Sequence, residues 1–219
     1  MKKEELRHDP IRESIVKGIQ YLNENSASVF KLLAVIILII VCISYYSHLE
    51  NLKSEMASHI AGRAQNTYIN GNFDEALVKF ERVINDYPNT TGSVQSLVYL
   101  LSDAVKNDNI NKINILLSDN TSNVNDLVIL SSFYKLRGDV ALRNGDNLDA
   151  IKYYKKAHSS ATVNSLMYEI NIAIAYIAHD RYNDAMLILE SIMDQGNIGF
   201  NVKNTAEELL AYTKQKLDI

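Results

Sequence analysis

The residue types that could carry chemistry in this 219-residue chain are few and dispersed. Five histidines, His8, His48, His59, His158 and His179, fall in different predicted elements, so a metal or acid–base centre would require coincidence in space. The adjacent carboxylates Asp74-Glu75 and Glu207-Glu208 sit where first helical turns or solvated faces are expected, since anionic groups favour helix N-termini. No phosphate-binding loop, dinucleotide fingerprint or paired-histidine motif occurs. Cys42 is the only cysteine, which leaves no intramolecular disulfide and no thiolate metal site. The expectation is no catalytic, cofactor-binding or metal-ligating residue, and so no enzyme.

What remains is binding by a surface, and the elements that present one begin with an apolar run. Val29 to Tyr46 is a nearly unbroken Ile/Leu/Val stretch whose helical length is roughly 27 Å, close to the ~30 Å hydrocarbon core of a bilayer. Lys31 is near enough to one end to snorkel outward, and Tyr45 and Tyr46 suit the opposite interface. Ahead of the run lie Lys2, Lys3, Arg7, Arg12 and Lys17, whereas the residues just behind it carry only Lys53 and Arg63, a bias that places the N-terminus in the cytoplasm. The polar leader is too long for a signal peptide and no small-x-small cleavage site follows. Cys42 follows Ile39, Ile40 and Val41 where a lipid-attachment cysteine needs a small residue. A permanent signal anchor is expected, dividing the chain into a cytoplasmic leader (1–28), a span (29–46) and a domain beyond the membrane (47–219). In the leader, Asp9-Pro10 reads as an N-cap and first helical residue, and Ile11, Ile15, Ile19 and Leu22 form one apolar stripe of a short helix suited to a lipid surface.

The domain after the span carries sixteen Lys and Arg against twenty-one Asp and Glu, or −5, which argues against nucleic acid as a partner. Two prolines, few glycines and no tryptophan point to an all-helical chain. Within it a short pattern recurs: Asn70-Gly71-Asn72-Phe73-Asp74-Glu75-Ala76-Leu77, Asn144-Gly145-Asp146-Asn147-Leu148-Asp149-Ala150-Ile151 and His179-Asp180-Arg181-Tyr182-Asn183-Asp184-Ala185-Met186, with a degraded copy at Asn107 to Asn114. Each reads as a turn entering a helix, and the turn positions Gly71, Asp108, Gly145 and Asp180 are regularly spaced.

These copies resemble the tetratricopeptide repeat, a helical hairpin. Ala64, Tyr68, Gly71, Ala76, Phe80, Val83 and Pro88 fill its positions in the first copy, and Tyr134, Gly138, Gly145, Ala150, Tyr154 and Ala157 do so in the third. The fourth offers Ala173, Tyr176, Tyr182, Ala185 and Leu189; the second keeps Leu97, Leu101, Ile113 and Leu117, with Ile113 where a small residue belongs, so the stack is expected to open or kink around Lys106 to Val124. Small residues let two helices approach to about 8 Å, and stacked hairpins bury the faces that single ones cannot. The expected fold is an all-α solenoid of about four hairpins after one membrane helix, closed by a helix over Val202 to Leu217.

The resemblance implies a concave face lined by the first helix of each copy, a protein-binding surface with Gln65, Tyr68, Val98, Ser102, Lys135, Asp139, Arg143, Ile170 and Ile174 as candidates. The apolar line Met167, Ile170, Ile174 and Ile177 is either a groove for apolar segments or the seat of the closing helix. The order of leader, single span and repeats is similar to the bacterial ancillary SecYEG translocon subunit family, the YfgM-like proteins. That likeness implies an inner-membrane, periplasm-facing chaperone or adaptor, partnered by the translocon, a periplasmic chaperone or prolyl isomerase, and exported clients. A structural scaffold of an envelope complex, or an organelle-membrane receptor with cytosolic repeats, would have the same layout.

Overall fold

The structure is a computed structural model that describes residues 10–120, 124–163, 165–196 and 198–218. The expected Asp9 cap and the charges from Lys2 to Arg7 lie outside these residues. The chain divides into two units, Met1–Lys53 and Ser54–Ile219. Among the described residues all regular structure is α-helical: α1 (Pro10–Glu24), α2 (Ser26–Ile69), α3 (Phe73–Asp86), α4 (Thr91–Lys106), α5 (Ile110–Asn120), α6 (Leu127–Arg143), α7 (Asn147–Ser160), α8 (Ser165–Ala178), α9 (Tyr182–Met193) and α10 (Phe200–Lys216).

In the first unit, α1 keeps its apolar stripe, and Ile11, Ile15, Ile19 and Leu22 are all exposed. The apolar part of α2 is likewise exposed throughout, and this helix is long and apolar enough to cross a membrane. No part of that stretch is buried among the described residues, which in a water-soluble helix would be a costly exposure of hydrocarbon.

The second unit begins with the C-terminal part of α2, and its helices alternate as first and second members of four hairpins, α2/α3, α4/α5, α6/α7 and α8/α9, with α10 closing the series. The four hairpin turns have one geometry. Gly71 (φ +88°), Asp108 (φ +52°), Gly145 (φ +83°) and Asp180 (φ +56°) all take the left-handed conformation. In the first turn the Gly71 N–H donates to the Tyr68 carbonyl and the Asn72 N–H to the Thr67 carbonyl, and the same pair of bonds recurs from Asp108 and Asn109, Gly145 and Asp146, and Asp180 and Arg181. This is the Schellman arrangement, which satisfies the last carbonyls of each first helix while reversing the chain. Between hairpins the cap differs. Thr90 and Ser93 exchange side-chain bonds with each other's backbone N–H at the start of α4, and Asp126 accepts from the Val128 and Ile129 N–H groups at the start of α6.

Packing follows the small positions. Ala64, Ala76, Ala150, Ala157, Ala173, Ala185 and Ala206 are all fully inaccessible. At Gly138 on α6 the Tyr154 ring of α7 occupies the space that a Cβ would need. A second close approach, at Gly92 on α4, brings the α2 backbone at Ala57 and Ser58 against the glycine. Ile113 is buried at 2% exposure among Leu100, Leu116 and Leu117, so the second hairpin accepts a branched side chain where its neighbours have alanine. The core forms two main clusters that divide along α6: Phe133 and Val140 join the helices before it, and Ala141 and Leu142 the helices after it.

These contacts separate glycines that look alike in the sequence. Gly62 on α2 has open space around it, so Gly62→Ala gains roughly 1 kcal/mol through helix propensity alone. Gly138→Ala overpacks the site and costs about 2 kcal/mol despite the same gain. Gly71→Ala, at an open position with positive φ, costs about 1 kcal/mol from backbone strain. Urea unfolding of the three variants, followed by circular dichroism of the full chain in detergent, reads the signs directly.

Candidate protein-binding face

The first helices α2, α4, α6 and α8 carry every side chain expected to form a binding face, and folding treats those side chains unequally. Val98, Ser102 and Arg143 are exposed. Gln65 is half-buried and its Oε1 accepts a 2.8 Å bond from Gln95 Nε2, tying α2 to α4. Tyr68 belongs to an aromatic cluster, edge-on to Phe73 (4.8 Å between centroids) and Tyr99 (5.2 Å), with Tyr99 stacked on Phe80. These two residues hold the first hairpin to the next helix and offer only an edge to solvent.

In the third hairpin both oxygens of Asp139 are taken. Lys135 Nζ lies 2.7 Å from one, and the Tyr154 hydroxyl donates to the other at 2.9 Å. Tyr154 is thus fixed twice, by the carboxylate at its hydroxyl and by Gly138 at its ring edge. Burial pushes the Tyr154 phenol well above its ordinary value of 10, and the adjacent Asp139 charge pushes it the same way. Arg143, at the end of α6, reaches Asp108 in the preceding turn at 2.7 Å.

The fourth hairpin corrects one expectation. Ile170 is 1% exposed and Ile174 half-buried, both in a cluster with Ala206, Val202, Leu209 and Leu210 of α10. The closing helix packs on this cluster, because an apolar end of a stack is more stable covered than wet. Ile170 is therefore a core residue, and of the apolar line only Met167 stays exposed, at 41%. Beside it on α8, Asn171 Nδ2 is buried without a hydrogen-bond acceptor among the described residues, a costly state for an amide donor. Sequence reading passed over Asn171, although a lone amide in so apolar a helix was visible as Ile170-Asn171-Ile172.

Along the expected row, what remains outward is Ile69, Val98 (41% exposed), Ser102, Val105 (48% exposed), Arg143 and Met167, a set that is mainly apolar with one cation. It has no converging acid, base and nucleophile. The ring nitrogen of His158 lies 3.0 Å from Glu169, a link between α7 and α8 away from these residues.

The Tyr154–Asp139 bond has a measurable pH signature. The unfolded tyrosine ionises near 10 while the folded one keeps its proton, so this contribution to stability is intact below pH 10 and is lost as pH rises toward the folded value. Tyr154→Phe removes the titration. The variant loses about 1 kcal/mol at pH 7 and shows a shallower fall in urea midpoint than the parent between about pH 10 and 11.5.

Residues 60–90 match the tetratricopeptide repeat family, a stretch that spans the end of α2, the Gly71 turn and α3. No curated protein matches the chain by sequence. Among solved structures it is similar to a singly substituted form of a Podosopora anserina protein assigned as a kinesin light chain with nearly identical TPR-like repeats. That likeness has a TM-score of 0.54 at 14% identity, over 76% of this chain and 88% of the other. The chain therefore carries a tetratricopeptide repeat in its first hairpin and has the fold of a tetratricopeptide-like α-solenoid.

Proposed function

We propose that this chain is a membrane-anchored adaptor that holds segments of other proteins along its row of first helices, beside the export translocon on the periplasmic side of a bacterial inner membrane. The observation that carries the binding role is the outward set Ile69, Val98, Val105 and Met167. These side chains stay exposed on first helices whose other apolar residues within the repeat unit fall mostly in contiguous clusters. A sparse apolar row suits brief contacts with apolar stretches of an unfinished chain, and Arg143, paired with Asp108, lies at the row's edge. The anchor rests on the apolar stretch of α2, and its orientation on the Lys and Arg residues ahead of it. The translocon, a periplasmic chaperone or prolyl isomerase, and exported clients are the partners supplied by the likeness of segment order.

Site-specific photocrosslinking from Val98, Ser102 and Arg143 in living cells tests this reading. The expected products join the chain to a translocon subunit or to newly exported proteins, and Val98→Asp lowers their yield several-fold. Crosslinks confined to a stoichiometric envelope partner would make the chain a scaffold instead. Digestion of the repeats by protease added on the cytoplasmic side would reverse the orientation.

A further inference from the structure

On the side of α6 opposite Lys135, Asp139 and Arg143, cations gather around a tyrosine. Tyr134 and Arg137 are three residues apart and share one face of that helix, about half a turn round from the binding row. From α7, Lys152 and Lys156 are exposed, and the half-buried Tyr153 lies between them and the face of the buried Ala150, Tyr154 and Ala157. Arg137 Cζ, Lys152 Nζ and Lys156 Nζ lie 5.3, 5.4 and 5.9 Å from the centre of the Tyr153 ring, and Lys156 is also 5.5 Å from that of Tyr134. Lys152 has a loose partner in Asp149 at 3.7 Å. Arg137 and Lys156 have no carboxylate partner among the described residues.

Three cations around one ring repel one another, and the negative ring face offsets only part of that repulsion. Many other cations of the unit are closed by carboxylates, as in Lys79–Glu75, Arg82–Asp86, Lys112–Glu81 and Lys135–Asp139, whereas Lys106, Lys155 and Lys216 face a ring instead. Here three cations share one ring and only Lys152 has a carboxylate partner among the described residues, in a domain of net charge −5 with acids to spare. We propose that the Tyr134/Arg137/Lys152/Tyr153/Lys156 patch is a docking site for a short acidic segment of a partner protein. The planar Arg137 fork takes one carboxylate in a bidentate pair, the two lysines take neighbouring carboxylates as point charges, and the rings cover the aliphatic parts of the segment.

Charge complementarity decides the class of partner. Beyond about 8 Å at physiological salt, charges are screened, so a short segment carrying two or three carboxylates meets only the local positive field. An extended polyanion, whether a lipid surface or a nucleic acid, would also meet the acidic remainder of the domain. The site lies on a different face from the adaptor row and goes beyond the function proposed above.

The test uses the full chain in phosphatidylcholine nanodiscs, with a fluorescein-labelled octaglutamate peptide, an octaglutamine control and phosphatidylglycerol vesicles as probes. Octaglutamate gives a saturable, salt-sensitive rise in anisotropy and octaglutamine gives none. The double variant Arg137→Gln/Lys156→Gln weakens octaglutamate binding about tenfold, as the loss of two partly exposed charge contacts implies. Lys203→Gln/Lys214→Gln, which changes net charge equally on α10, leaves it within about twofold. Tyr153→Leu weakens it without changing net charge. Absence of binding by the parent, equal weakening by the two double variants, or a loss of vesicle binding in place of peptide binding would overturn the proposal. Photocrosslinking from Val98 and Ser102 separates the two sites: the crosslinks persist in the Arg137→Gln/Lys156→Gln background, whereas failure of the adaptor reading removes them from the parent and leaves the parent's octaglutamate binding intact.

Discussion

The repeat unit depends on close approach at its helix crossings, and the approach is clearest where Gly138 meets the ring of Tyr154. A methyl group at that point would collide with the ring, so the distance between α6 and α7 is set by the absence of a side chain. The tyrosine in turn is held at its hydroxyl by Asp139, whose other oxygen takes Lys135. Burial and polar closure reinforce each other here. The ring excludes water from the crossing, and the carboxylate removes the cost of burying the phenol. The alanines at the other crossings act in the same way with less contrast, and Gly92 does so between α4 and the backbone of α2.

That geometry propagates because the turns are alike. Four left-handed residues with the same two backbone bonds end each first helix and reverse the chain in the same way, whatever the sequence on either side. Two of the four are aspartates, which tolerate this backbone region better than most residues but less well than glycine. The second and fourth turns thus keep the geometry under some strain. Asp108 also holds Arg143 of the next hairpin, and Asp180 accepts a bond from the Tyr182 hydroxyl, raising that phenol above its ordinary value. A glycine could do neither.

Helical stacking leaves two kinds of surface. The row of first helices loses much of its expected chemistry to internal bonds and keeps a sparse apolar line. The outward side of α6 and α7 keeps two cations, Arg137 and Lys156, with no carboxylate partner among the described residues. A scaffold of this kind separates an apolar contact from an electrostatic one by the width of a helix, so two partners, or two parts of one partner, can be held without competing.

Much of this architecture could be read from the residues. The apolar run at 29–46, the recurring turn positions and the small residues at Ala76, Gly138, Ala150 and Ala185 act locally or at short range, and their periodicity identifies helices, hairpins and crossings before any packing is known. Which side chains remain available was a tertiary decision. Ile170 could be either a groove residue or the seat of the closing helix until α10 packed on its cluster, and Asp139 looked free until Tyr154 arrived from the next helix with a hydroxyl to donate. Lys152-Tyr153-Tyr154-Lys155-Lys156 was legible as a basic and aromatic run, yet it conceals one core tyrosine and one exposed patch. Only the facing helix, by burying Tyr154 and placing Arg137 beside Tyr153, distinguished them, because sequence spacing specifies a helix face and only packing specifies what that face meets.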